Sequence, residues 1–288
     1  MEEDENSDMT KSVLITGCSS GIGLTLAKGL TARGWQVFAS ARRPEDVAQL
    51  VAAGFTGLLL DLRDSASIRA ALAEVLERTG GTLDALCNNA GYGQPGAVED
   101  LSREVLREQF ETNLFGTHEL TTLVLPVMRR QCYGRIVYIS SLLGYVTLPY
   151  RGAYNASKYA LEGLIDTLRL ELRGSCIYVS LIEPGPIRSR FRANAYAAFQ
   201  RNIDAIGSVH AAQYVAMKRR FTAEGPVSIF TRGPEAVRAK VVHALESPQP
   251  QIRYPVTFPA YLFAALRRLL PGRALDRILW EIGEAERR

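Results

Sequence analysis

Tyr154 and Lys158 stand four residues apart in the stretch SSLLGYVTLPYRGAYNASKYA, residues 140–160. On a helix that spacing is just over one turn, so a phenol and an ammonium ion share one face. Free tyrosine titrates near about 10, and a neighbouring positive charge favours its phenolate. A general acid/base can be made in this way. Ser141 follows the apolar run 136–139, which reads as a buried strand. Its hydroxyl therefore sits at a strand's carboxyl end, where open α/β sheets place ligands. A Tyr/Lys pair also suits an ordinary surface helix, so the surrounding elements must decide between the two.

Residues 12–16 (SVLIT) form an apolar, β-rich run, followed by GCSSGIG and a helical pattern carrying Leu24, Ala27, Leu30 and Ala32. Gly17, Gly21 and Gly23 allow a tight turn and close backbone approach to a pyrophosphate, and the helix N-terminus offers unpaired N–H groups. The second strand, 36–40, ends in Ala41-Arg42-Arg43. An acid near this point binds ribose hydroxyls in dinucleotide folds, whereas arginine accommodates a 2′-phosphate. Arg42 and Arg43 thus favour NADP over NAD.

Further on come a strand at 57–60, Asp61, a helix at 65–78 and a strand at 83–87 closed by Asn88-Asn89-Ala90-Gly91. Asn88 suits either ligand approach or the pinning of neighbouring strands. A long helical stretch, 101–130, contains Pro126 and Asn113; a mid-helix Asn costs propensity, which gives its amide a task. Strand 177–182 leads into the irregular loop 183–189. This alternation predicts an α/β fold, a doubly wound parallel sheet with helices on both faces, in a single domain spanning 11–288. Within it, 190–232 lacks a strand pattern and reads as a helical substrate lid. A helix at 234–245 and a strand at 251–256 then resume the alternation. The tail, 258–288, is a basic amphipathic segment, which suits a membrane surface and, better, packing over the cleft or a partner subunit.

The chain of 288 residues is 47% hydrophobic and 22% charged, an ordinary globular composition. Its net charge of +4 is too small and dispersed to argue for nucleic acid. Cys18, Cys87, Cys132 and Cys176 are far apart and form no CxxC pair, so free thiols and no metal site are expected. Residues 1–10 are an acidic leader expected to be disordered. No secretory signal and no long apolar span is evident, which makes the cytoplasm the default location.

Together these motifs resemble the short-chain dehydrogenase/reductase family in its compact, NADP-preferring form, similar to the steroid and retinol dehydrogenases, over about residues 11–256. Thr16 to Gly23 match the family's TGxxxGxG, Asn88 to Gly91 its NNAG, and Ser141, Tyr154, Lys158 and Asn113 its catalytic tetrad. The resemblance implies a Rossmann-like fold. It places Ser19, Ser20 and Ile22 in the pyrophosphate loop and Asp61 with Leu62 at adenine. Asn89, Ala90 and Gly91 then border the adenosine ribose and phosphates, while Pro184, Gly185, Ile187 and Ser189 hold the nicotinamide carboxamide. Cys176, and similarly Cys132, fall where related sequences often carry glycine.

The implied activity is NADP(H)-dependent interconversion of a secondary alcohol and ketone, or of a primary alcohol and aldehyde. Leu142, Leu143, Tyr145, Pro149 and Tyr150 point to an apolar substrate, steroid-, retinoid- or lipid-like. A different class of function, a non-catalytic NADP(H)-sensing protein on the same fold, leaves the tetrad without a task. The family's habit predicts a homodimer or homotetramer through the helices of 101–130 and 154–173.

Overall fold

Short runs rich in β-branched and apolar residues become the seven strands of one sheet in the computed structural model, which describes residues 10–285 except 224, 226 and 227. They are β1 (Ser12–Ile15), β2 (Gln36–Ala41), β3 (Thr56–Leu59), β4 (Ala85–Asn88), β5 (Gly134–Ile139), β6 (Ile177–Pro184) and β7 (Arg253–Val256). Their order is β3-β2-β1-β4-β5-β6-β7, parallel throughout. Every residue of β1, β4 and β5 is buried, as expected for strands covered on both faces. The chain moves outward from β1 to β3 and then crosses to β4 on the other side. Between β1 and β4 lies the topological switch point, the crevice where such sheets bind ligands.

One face is covered by α1 (Gly21–Thr31), α2 (Pro44–Ala52) and α9 (Glu235–Glu246). Leu26, Leu30, Leu50, Val237 and Val241 are buried there against Val13, Ile15 and Val37. The other face carries α3 (Ser65–Arg78), α5 (Gly116–Arg130) and α6 (Gly152–Glu171), with Ile68, Leu72, Val124, Met128, Leu161 and Ile165 in its core. Each such side chain contributes roughly 1.5–3 kcal/mol on burial. The doubly wound α/β architecture is therefore as expected.

The helix expected over 101–130 runs without a break from Arg103 to Arg130, but one turn inside it is wider than α-helical. It divides into α4 (Arg103–Phe110), a π-helical turn (Glu111–Phe115) and α5. At the start of α5 the backbone runs hard against the loop after β3: a Cβ on Gly116 would lie 1.7 Å from the Leu62 carbonyl oxygen. The strands expected from 83 and 251 begin at Ala85 and Arg253.

Segment 190–232 holds α7 (Phe191–Asn202) and α8 (Ala211–Thr222), and the tail holds α10 (Phe258–Leu269) and α11 (Gly272–Ala285). Phe263, Leu275 and Leu279 of the tail pack on Leu143 and Val146, so its apolar side closes over the cleft. Cys132 has φ 53°, the left-handed region that favours glycine. Cys176 shows no such constraint. All four cysteines are free thiols. Among the described residues no helix is long and apolar enough to cross a membrane, and no cluster of His, Cys, Asp or Glu could hold a metal. Of the acidic leader at 1–10, residues 1–9 lie outside the described residues.

Candidate active site

A cavity of about 1160 Å³ opens at the switch point, larger than the upper end of single-ligand pockets, about 1,000 Å³. Its floor is the loop from β1 into α1. Gly17 has φ +73°, and a Cβ there would sit 2.9 Å from the Ala90 Cα. A Cβ on Gly23 would sit 2.3 Å from the Gly17 carbonyl oxygen. Glycine is thus required by both conformation and space. Thr16 Oγ1 accepts from the backbone N–H groups of Asn89 and Ala90, each at 2.9 Å, and the Asn89 amide donates to the Thr16 carbonyl at 2.7 Å. These bonds stitch the first loop to the loop after β4. Ser20 caps α1 without a side-chain bond, leaving the helix N-terminus turned to the cavity beside Ser19, Gly21 and Ile22. Such a bare, glycine-lined helix start fits a pyrophosphate.

The residues expected at the adenosine, Arg42, Arg43, Asp61 and Leu62, follow β2 and β3 and do not line the cavity itself. Arg42 and Arg43 are exposed. Arg43 is already engaged, its guanidinium donating to Asp46 at 2.8 and 3.0 Å, while Arg42 has no such partner among the described residues. Burial raises the Asp61 pKa, but hydrogen bonds from Arg63 and the charges of Arg63 and Arg42 hold it below the usual carboxylate range. Leu62 turns its side chain into the core and offers only backbone to a ligand. Asn88 is engaged within the fold: its amide donates to Thr121 Oγ1 at 3.0 Å, a bond that ties β4 to helix α5 and not to a neighbouring strand. Asn89, Ala90 and Gly91 line the cavity, as do Pro184, Gly185, Ile187 and Ser189. Ser189 leans over the first loop, 3.0 Å from where a Gly21 Cβ would lie.

The chemistry-bearing groups converge at the inner end. Ser141 leaves β5, buried, with its Oγ accepting from the Leu143 N–H at 3.1 Å. Tyr154 and Lys158 project from the first turns of α6, and the Lys158 Nζ lies 5.8 Å from the Tyr154 ring centroid. Lys158 is itself buried and donates to the Ile139 carbonyl at 2.7 Å. Burial pushes the Tyr154 phenol up to about 12, and its hydrogen bond with Ser141 pulls it part of the way back. The expectation of a phenol lowered by Lys158 is corrected: its net shift is upward, with burial the largest cause. Burial also lowers Lys158 to about 8, against the opposing charge of Glu162.

Asn113 lies in the π-helical turn, a common mark of functional sites. Its Oδ1 accepts from the Tyr92 N–H at 3.1 Å, and its Nδ2 donates to the Tyr92 carbonyl at 2.9 Å and to Ser157 Oγ at 3.1 Å. Ser157 in turn donates to the Tyr154 carbonyl at 2.8 Å. Asn113 is thereby linked to the helix turn that carries Tyr154, through Ser157, a residue outside every motif read from the sequence. Phe191 also escaped notice as a site residue. It packs edge-on against Tyr154, centroids 5.3 Å apart, and a Cβ on Gly93 would meet it at 2.8 Å.

The doubly wound sheet, the glycine turn and the Ser-Tyr-Lys convergence define a dinucleotide-dependent oxidoreductase. The family is settled by comparison: the short chain dehydrogenase family model matches residues 11–199, and the chain belongs to that family. It is 47% identical over 271 residues to the "Uncharacterized oxidoreductase YbbO" of Escherichia coli K12, covering 94% of each chain. It is 35% identical over 257 residues to human 17-beta-hydroxysteroid dehydrogenase type 1, covering 84% of this chain and 76% of that one. A short-chain dehydrogenase from Streptomyces avermitilis superposes with a TM-score of 0.77 at 33% identity, covering 97% of both chains.

Proposed function

We propose that the chain is an NADP(H)-dependent oxidoreductase that interconverts an apolar secondary alcohol and ketone, or a primary alcohol and aldehyde. The carrying observation is the meeting of Ser141, Tyr154 and Lys158 at the inner end of one cavity. That cavity pairs a glycine-lined helix start with walls from Leu142, Leu143, Val146, Leu148, Met217 and Phe263. The apolar walls support a steroid-, retinoid- or lipid-like substrate, and the hydroxysteroid relative works in the same direction.

NADPH, when bound, supplies the hydride. The hydroxyls of Ser141 and Tyr154 hydrogen-bond the substrate oxygen and orient its carbonyl. As negative charge develops on that oxygen, Tyr154 transfers its proton to it. A phenol raised to about 12 keeps that proton available at neutral pH, which suits reduction. Lys158 stabilises the tyrosinate left behind and reaches the nicotinamide ribose. Asn113 keeps the α6 turn in register and holds a water that links Lys158 to solvent. In oxidation Tyr154 receives the proton instead. Arg42 and Arg43 supply the preference for a 2′-phosphate. The first loop, Asp61, the Leu62 backbone, residues 89–91 and the loop 184–189 hold the rest of the dinucleotide.

Helices α7 and α8 act as the substrate lid, with Phe191 covering Tyr154. A homodimer or homotetramer forms through α4–α5 and α6, which leave Leu106, Phe115, Tyr159 and Leu170 exposed. A pure cofactor sensor has no use for the Ser141–Tyr154 contact. The test is absorbance-monitored turnover of a panel of apolar ketones and aldehydes with NADPH and with NADH. Turnover favouring NADPH is expected. Tight NADPH binding with no turnover across the panel counts for the sensor.

A further inference from the structure

The net charge of +4 is not spread evenly. From residue 188 to residue 232 the sequence carries eight basic and two acidic residues, more positive charge than the whole chain shows. Part of it gathers at one place. Arg188 and Arg232 are exposed and also line the cavity, which puts them at its opening. Two backbone bonds between their loop segments fix this arrangement: the Arg188 N–H donates to the Arg232 carbonyl at 2.8 Å, and the Arg232 N–H to the Pro186 carbonyl at 3.1 Å. Among the described residues no carboxylate lies within 4.0 Å of either guanidinium, with Glu235 sharing the space over Gly233 with Arg188.

Large apolar side chains share that opening. Phe230 and Phe258 come from separate elements, stack with ring centroids 5.4 Å apart, and are both exposed while lining the cavity. Beside them Ile229 is 89% and Tyr261 50% exposed, and neither lines the cavity. Thr257, with φ 80°, turns the chain sharply at the start of α10. The Tyr145 hydroxyl anchors that helix by donating to the Ala260 carbonyl at 2.8 Å.

We infer that this rim docks on the surface of an anionic lipid bilayer. Aromatic side chains favour the interfacial level of a membrane, and each arginine near an anionic surface adds about 1 kcal/mol. Ile229, Phe230, Phe258 and Tyr261 enter the headgroup boundary while Arg188 and Arg232 meet lipid phosphates. An apolar substrate then passes between bilayer and cavity without crossing water. A second copy of the chain is a poorer occupant, because a twofold self-contact brings two copies of the same basic rim together. The docking concerns the rim alone and does not depend on the redox reading.

Flotation or sedimentation of the full chain with phosphatidylcholine vesicles, and with vesicles containing phosphatidylglycerol, tests this without turnover. Binding is expected to the anionic vesicles, with loss at high salt. Arg188→Ala is expected to weaken it roughly fivefold, and the double variant Ile229→Ser/Tyr261→Ser roughly tenfold. NADPH binding by the double variant, unchanged, reports that it is folded. Absence of binding, equal binding to both vesicle types, or a double variant that binds like the wild type overturns the inference. So does a double variant that only lowers the oligomeric mass in lipid-free solution, since that assigns the rim to self-association.

Discussion

The Lys158 ammonium donates to the Ile139 carbonyl at 2.7 Å, so the cation under Tyr154 is held by the strand that delivers Ser141. Helix α6 and strand β5 are therefore locked to each other through a charged group in the site. That bond keeps Lys158 in place, while burial brings its proton within reach of ordinary pH.

The first prediction concerns pH. With Lys158 near 8 and Tyr154 near 12, kcat/KM for reduction is expected to hold through neutral pH and fall as Lys158 loses its charge. Glu162 lies four residues further along α6, buried, and its charge opposes the lowering of Lys158. Glu162→Gln should move the alkaline limb of the profile to lower pH, whereas a purely structural loss would scale the profile without shifting it. Parallel pH–rate profiles of the two proteins check this.

The proposed NADP(H) preference is expected to rest on Arg42 more than on Arg43. Because Arg43 is committed to Asp46, its removal frees an acid as well as losing a base. A charge-assisted hydrogen bond is worth about 1.5–3 kcal/mol, so Arg42→Ala should weaken NADPH roughly tenfold or more and leave NADH unchanged. Titration of both cofactors by fluorescence measures the ratio.

The order of strands and motifs was legible from local signals, since a strand, a glycine turn and a helix each leave a short pattern. Gly17, Gly23, Ser141, Tyr154 and Lys158 all stand where those patterns put them. The π-helical turn at Asn113 was not legible: apolar periodicity does not distinguish one wide turn inside a long amphipathic stretch. Nor was the raised Tyr154 phenol, because spacing announces the neighbouring charge but not the depth of burial. That the Leu62 side chain turns into the core, leaving only its backbone for a ligand, was not legible either. The tail's two sides, one on Leu143 and Val146 and one outward, become separable only once α10 and α11 are placed.

Stability should also depend on pH through Glu183, buried at the end of β6. Burial, and then the charge of Glu162, raise it to about 7, against the pull of Arg253 2.9 Å away. Its pKa in the unfolded chain is about 4.3. The folded state holds the proton more tightly, so this contribution is full below the unfolded value and is lost as pH rises through about 7. The wild-type Tm should decline across that window, and Glu183→Gln should flatten the decline. Thermal unfolding between pH 5 and pH 8 gives both curves; identical slopes would contradict the assignment.

The most direct test of the central claim is Tyr154→Phe, measured for NADPH oxidation with an apolar ketone that the wild type reduces and, separately, for NADPH binding. The phenol is the proposed proton donor, and general acid catalysis contributes about 10²–10⁴-fold. Turnover should fall at least about a hundredfold while NADPH affinity is unchanged. Turnover at the wild-type rate would contradict the account.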